Sequence, residues 1–448
     1  MNSAQRLLGH VRTAEFTRRT GRICRIAGLA VESAGPAARI GEICEIRSHE
    51  RREVTLAEVI GFNEGRVLLM PYGDLRGIAL DAEVVATGMD PEAPTGAALL
   101  GRVIDGFGMP LDGDGPLNVA THAPLYPEPL NPLKRSARVS SFETGIRAID
   151  TFLPLARGQR VGIFAGAGVG KSTLLGMIAR RMQCDVSVIG LIGERGREVR
   201  AFVDNGLSAE ARARSVIVVA TSDQPPLVRR RAAFLATAIA ESFAEAGRNV
   251  CLTLDSLTRI AMAQREIGLA AGELPTSRGY TPSVFSMLPR LLERGGARES
   301  GGTLTALYTV LVEGDDFTEP VTDSVRAILD GHIILSRNIA QRGRFPAIDI
   351  PPSVSRMASA VLDPADAEVV QEAARLLAAY EESRDLIELG AYRAGSNKVT
   401  DQALRHYGAL EQFLSQRAAE TSNRAEGFMR LAQILSGQAA NPEQTAHE

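Results

Sequence analysis

Residues 160–181 read RVGIFAGAGVGKSTLLGMIARR, and the reading of this stretch decides the fold. An apolar run stops at a glycine-rich turn, and a helix-forming run follows without a break. The turn AGAGVGKS, 165–172, fits G-x-x-x-x-G-K-[ST] at every fixed position but the first, where Ala165 stands. Gly166, Ala167, Gly168, Val169 and Gly170 offer backbone N–H groups that can curl around phosphate oxygens. Lys171 would bring its ammonium to the β- and γ-phosphates, Ser172 its hydroxyl to Mg²⁺, and Thr173 continues the first turn of a helix whose positive end faces the anion. A glycine-rich turn that binds nothing needs neither the GKS triplet nor the strand and helix around it.

Outward from this loop, near-continuous apolar runs recur: VSVIGLIG at 186–193, SVIVVA at 215–220, NVCLTLD at 249–255, TLTALYTVLV at 303–312 and HIILS at 332–336. Helical stretches such as RRRAAFLATAIAESFAEAG, 229–247, separate them. Strands buried on both faces read this way in a parallel sheet covered by helices. Asp255 closes one run and suits the Mg²⁺ surroundings, although without the phosphate loop upstream an Asp there would better be read as the cap of the next helix. Glu194, in LIGERGREV, closes another. Its strand follows the phosphate-loop helix, which predicts that it neighbours the phosphate-loop strand. At that end of the sheet Glu194 could orient a water toward a γ-phosphate with Arg195 beside it, or it could be a solvated loop acid. Asp315 and Asp316 also end a run on the ligand side and are expected to structure their loop.

The rest of the chain divides by composition. Residues 20–92 carry short apolar runs punctuated by Gly, Asn and Pro, which predicts a small β-barrel. Residues 93–145 contain APLYPEPLNP and are expected to be a linker leading into the core. Residues 146–365 hold the alternating pattern, and 366–448 turn helical, in DAEVVQEAARLLAAYEESRDLIELG and TDQALRHYGALEQFLSQRAAE. The basic segment 1–19 has the spacing of a short one-sided helix and is expected to bind a partner. A net charge of −3 provides no global basic field for nucleic acid. Residues 20–92 offer only Phe62 and Tyr72 for base stacking, so an RNA-reading barrel is disfavoured. The four cysteines include no C-x-x-C pair, and no stretch reaches the length of a membrane span.

Long segments then converge on one family: FETGIRAIDTFLPLARGQRVGIFAGAGVGKS, VIGLIGERGREV, LDSLTRIAMAQREIGLAAGELPTSRGYTPSVFSMLPRLLERGG, VEGDDFTEPVTDSVRAILDGHIILSR and PAIDIPPSVSR. The chain resembles the rotary ATP synthase α/β family and, within it, the type III protein-export ATPases, from about residue 22 to 435. The resemblance implies an α/β fold with an N-terminal β-barrel, a central RecA-like P-loop domain and a C-terminal helical domain. It implies ATP hydrolysis with Mg²⁺, with Glu194 as the catalytic acid and Arg195 its companion. Asp255 matches the second acid, Arg259 an active-site arginine, Phe345 an aromatic on the adenine that is usually Tyr, and Arg356 an arginine finger for a neighbouring subunit. With Glu194 and Arg356 on one chain, a homohexamer with every interface active is expected. The family's partners would be a central stalk, a stator-like regulator at 1–19, an export gate, and export substrates with chaperones. The location would be cytoplasmic, peripheral at the inner membrane. EVIGFNEGRVLLMPYGDLRGI resembles the flagellar branch; the injection-system branch, a rotary synthase subunit and a ring-shaped RNA translocase are the alternatives.

Overall fold

A computed structural model describes residues 18–47, 54–128, 130–299 and 301–437. Nearly all of the segment 1–19, expected to bind a partner, lies outside the described residues. The chain divides into two compact units. One takes in the described part of 1–92 with 225–228 and 263–283; the other comprises 93–224, 229–262 and 284–448.

In the first unit, six strands close an antiparallel barrel: Thr20–Ala27, Ala30–Ala34, Ile43–Arg47, Val54–Asn63, Arg66–Pro71 and Glu83–Ala86. Period-two alternation builds it. In ICEIR, Cys44 and Ile46 face inward and join Ile23, Val31, Val59, Leu69 and Val84 in one core. Glu64 and Gly65 both take positive φ, the backbone that a two-residue hairpin between twisted strands demands.

The second unit is built on a sheet whose order, from one edge, is Ile348–Ser355, Gly331–Leu335, Arg160–Ala165, Thr303–Leu311, Asn249–Asp255, Val186–Ile192, Ser215–Ala220 and Val103–Ile104. All these neighbours run parallel except the first pair, and Gly296–Ala297 adds a short antiparallel partner to Thr303–Leu311. The strand before Glu194 therefore does not neighbour the phosphate-loop strand, as its place in the sequence had predicted. Thr303–Leu311 and Asn249–Asp255 lie between them. Consecutive strands neighbour each other in only about two-thirds of cases, and here the first crossover skips two positions that later strands fill.

The stretch 93–145 is more than a linker. Val103–Ile104 pairs with Ser215–Ala220, and Leu99, Val103, Ile104 and Leu125 are buried. Arg102 donates twice to Asp112, at 2.8 Å each, and this ion pair holds the Asp112 carboxyl well below the usual range. A two-residue strand is too short to leave a periodic signal. The C-terminal helices Pro364–Glu388, Lys398–Leu414 and Arg424–Leu435 follow. The expected boundary at 365/366 falls inside the first of them, which Asp363 and Pro364 begin. Their apolar faces, including Leu376, Phe413 and Leu431, share one core with Phe142, Ile149 and Ile163.

Candidate active site

The phosphate-loop strand ends at Ala165, and the helix Lys171–Arg181 begins directly after Gly170. Gly170 has φ 91°, a conformation that brings the loop round into the helix and that other residues rarely adopt. Gly166 is crowded by side-chain ends: a Cβ there would lie 2.8 Å from Asp315 Oδ1 and 3.1 Å from Arg337 Nη2, which would have to shift. Ser172 and Thr173 are exposed at the start of the helix, where first-turn N–H groups have no partner within the helix.

Lys171 Nζ is held by two acids. It donates to Glu194 Oε1 at 3.3 Å and to Asp255 Oδ1. The strand ends thus bring together Lys171, Glu194 and Asp255, although two strands separate the first pair. All three side chains are largely buried. Burial pushes the Glu194 carboxyl upward, Asp255 adds to this, and Lys171 opposes it. Thr309, fully buried on the intervening strand, donates to Asp255 Oδ1 at 2.6 Å and fixes that carboxylate. Gly193 has no Cβ because the side chain of Arg259 occupies the space; a Cβ would meet Arg259 Cβ at 2.7 Å. Arg259 therefore packs against Gly193, the residue before Glu194, and its Nε is buried without a hydrogen-bond partner among the described residues.

Arg195 is turned elsewhere. Its side chain is 70% exposed and pairs with Glu198 at 3.2 Å. Asp316 accepts from the Thr318 N–H and hydroxyl, as a loop-structuring acid does. Asp315 instead packs on the phosphate loop and pairs with Arg337 at 3.5 Å, a contact that sequence reasoning missed.

Phe345 is half-exposed and lies beside Gly170, where a Cβ would sit 3.4 Å from Phe345 Cδ1. With Gly170, Thr173, Met177, Gln416 and Arg417 it lines a cleft of about 450 Å³ next to the phosphate loop. The cleft wall at 415–418 comes from the end of the helix Lys398–Leu414 and was not foreseen.

Arg356 lies at the other end of the sheet. It follows the antiparallel edge strand, its N–H donates to Asp330 O at 3.0 Å, and its side chain is exposed. Asp330 is bonded to Arg160, at the start of the phosphate-loop strand. Five residues of strand, about 17 Å, separate that level from Ala165. The structure does not bring Arg356 to the Lys171 of its own chain.

The geometry fits a nucleotide with a divalent cation. The Lys171 ammonium stands at the start of a helix whose first N–H groups have no partner within it, and the Ser172 hydroxyl and the Asp255 carboxylate are hard oxygen donors. Comparison with known proteins points the same way. Residues 145–355 match the nucleotide-binding domain of the ATP synthase alpha/beta family, and residues 23–88 match that family's beta-barrel domain. Residues 362–433 match the T3SS EscN ATPase C-terminal domain. The chain is 48% identical to the flagellum-specific ATP synthase of Bacillus subtilis (strain 168), covering 97% of this chain and 99% of that one. It is also 48% identical to the type 3 secretion system ATPase of Xanthomonas euvesicatoria, covering 92% of each. Among solved structures it resembles the assembled ATPase EscN of the enteropathogenic E. coli type III secretion system, with TM-score 0.88 and 41% identity over 93% of this chain and all of that one. EscN in complex with its central stalk EscO gives TM-score 0.84 at 40% identity over the same shares.

Proposed function

This chain belongs to the ATP synthase alpha/beta family, and on that premise we propose that it is the Mg²⁺-dependent ATPase of a flagellar type III protein export apparatus. The observation that carries the reading is Lys171 held between Glu194 and Asp255 at the mouth of the phosphate loop. ATP would draw the ammonium from these acids onto its β- and γ-oxygens. Glu194, released, orients a water in line with the γ-phosphate. The Arg259 guanidinium, whose Nε lacks a partner, meets the charge that develops there. Phe345 covers the adenine with its ring face. Ser172 and Asp255 would hold Mg²⁺, which neutralises charge on the phosphate oxygens. Arg195 acts, on this reading, only after leaving Glu198.

Because Arg356 stands at the opposite end of the sheet from its own phosphate loop, it serves a neighbour's site. Head-to-tail contacts of this kind close into a ring when the rotation permits, and the homohexamer is our reading of the assembled form. By likeness to EscN with EscO, a central stalk would enter this ring. The N-terminal segment would meet a stator-like regulator, and the C-terminal helices would receive export substrates with their chaperones near the export gate. The location would be cytoplasmic and peripheral at the inner membrane; among the described residues no helix is long and apolar enough to cross a membrane. The equal identity to an injection-system ATPase favours one second reading, the same ATPase in a virulence-type secretion system. A deletion strain that still swims would decide for it. ATPase activity against protein concentration, wild type beside Glu194→Gln, tests the chemistry: a steep rise with assembly is expected for wild type and none for the variant. Full activity in the variant would remove the mechanism.

A further inference from the structure

The cleft beside Phe345 has one wall that no motif announces. Residues 415–418 leave the helix Lys398–Leu414 and run along the cleft mouth. Gln416 sits at the centre of this strap and is 3% exposed. Its side chain is fully engaged. Oε1 accepts from the Arg147 N–H at 2.8 Å, and Nε2 donates to Gly145 O at 2.9 Å and to Glu420 O at 3.1 Å. Its own N–H donates to Phe345 O at 2.8 Å. One buried residue therefore ties the backbone of the aromatic, the strap and the turn at 145–147 together.

Each of those anchors is itself fixed. Asp150 accepts from the Thr144 N–H, the Thr144 hydroxyl and the Gly145 N–H, each at 2.8 Å, and so locks the turn. Arg147, also buried, donates to Phe413 O at 2.8 Å and to Ser415 O at 3.3 Å, and pairs with Glu420. Arg181, in the last turn of the phosphate-loop helix, donates to Ala418 O at 2.6 Å. A Cβ on Gly145 would meet Arg181 Cβ at 2.5 Å, so the turn and that helix are in direct contact. The strap is thus gauged against the helix that holds the phosphates. A buried network of this kind imposes one geometry, and losing one member leaves its partners unpaired.

We propose that Gln416 is the positioning residue for the base-binding cleft, setting its width and thereby the preference of the site for a nucleoside triphosphate over a bare polyphosphate. This rests on the reading of the cleft as the place of the adenine. Gln416 touches no reacting atom. It holds Phe345 and the strap at a fixed separation, while the phosphates are gripped by residues it does not contact.

The test uses the full chain and two ligands. KM and kcat are measured for ATP, and inorganic tripolyphosphate is measured as a competitor that fills the phosphate end alone. Gln416→Met keeps the length of the side chain and removes its hydrogen bonds. It is expected to raise KM for ATP about tenfold, the loss of roughly one net hydrogen bond's worth of orientation. The inhibition constant of tripolyphosphate and kcat should stay within twofold. Unchanged KM, or equal weakening of both ligands, overturns the proposal. Gln416→Glu, which keeps the Oε1 acceptor for Arg147 and loses both donors, should give the same split and replaces the Met variant if that one does not fold. In the wild type, hydrogen exchange over 413–420 should slow more with ATP than with tripolyphosphate; equal slowing counts against the proposal. If wild type itself binds ATP no better than tripolyphosphate, the cleft is not a base site, and it is that underlying reading which fails.

Discussion

The two ends of the central sheet carry different kinds of chemistry. At the carboxyl end of the strands, Lys171, Glu194 and Asp255 are buried, close together and tied to one another. At the amino end Arg356 stands exposed, its backbone N–H bonded to Asp330. The first group is a buried cluster of paired charges, and the second is an exposed side chain at the far end from its own chain's phosphate loop. Under the proposed function the contrast would make assembly part of the catalytic machinery: one end of the sheet would bind, and the other would serve the binding end of another copy.

Arg356→Ala is expected to have the largest effect, a loss of about 10³–10⁵ in kcat with ATP binding retained. Glu194→Gln should follow, with about 10²–10⁴ lost. Mixing the two variants sharpens the comparison, since some interfaces would then unite an intact Glu194 with an intact Arg356. ATPase assays of the mixture should recover a fraction of wild-type activity; no recovery breaks the division between the two ends. A smaller effect is expected from Thr309→Val, which keeps the shape and removes the hydroxyl that fixes Asp255. One lost hydrogen bond to a carboxylate corresponds to roughly a tenfold fall in kcat, and steady-state kinetics at saturating Mg²⁺ would read it. An unchanged rate would show that Asp255 needs no support from the intervening strand.

The last expected effect concerns stability and leaves the chemistry of the two ends untouched. Burial raises the Asp150 carboxyl to about 6, above its unfolded value. Its contribution is therefore fully present below about pH 4 and is lost as pH rises through about 6. Relative to Asp150→Asn, wild type should lose about 2–3 kcal/mol across that window. Paired thermal melts of the two proteins at pH 4 and pH 7 would check the sign. A difference that grows with pH would place the ionised carboxylate among partners better than the turn at 144–145.

The phosphate end was legible because its chemistry is local. Five glycine-rich positions, a lysine and a serine follow one another in the chain, and Glu194 and Asp255 each close an apolar run. The strand order was not legible, because buried parallel strands all read alike and their order is set by where each crossover lands. The cleft strap was invisible for a related reason. Gln416 meets Arg147 and Gly145 across 269 and 271 residues, and a lone Gln after a helix carries no pattern. The edge strand Ile348–Ser355 escaped as well, since Pro351 and Pro352 argue against a strand anywhere but at a sheet edge, which is where it lies.

That edge strand begins shortly after Phe345 and delivers the chain directly to Arg356. Its two ends pair with Leu335 and Gly331 of the neighbouring strand, and the register shifts between them, so its eight residues lie along only five of the partner's. In a ring of identical copies, as proposed above, this strand would run from beside the cleft of one site to the doorway of the next. Neighbouring sites would then keep time with one another through a mechanical linkage written into one stretch of backbone.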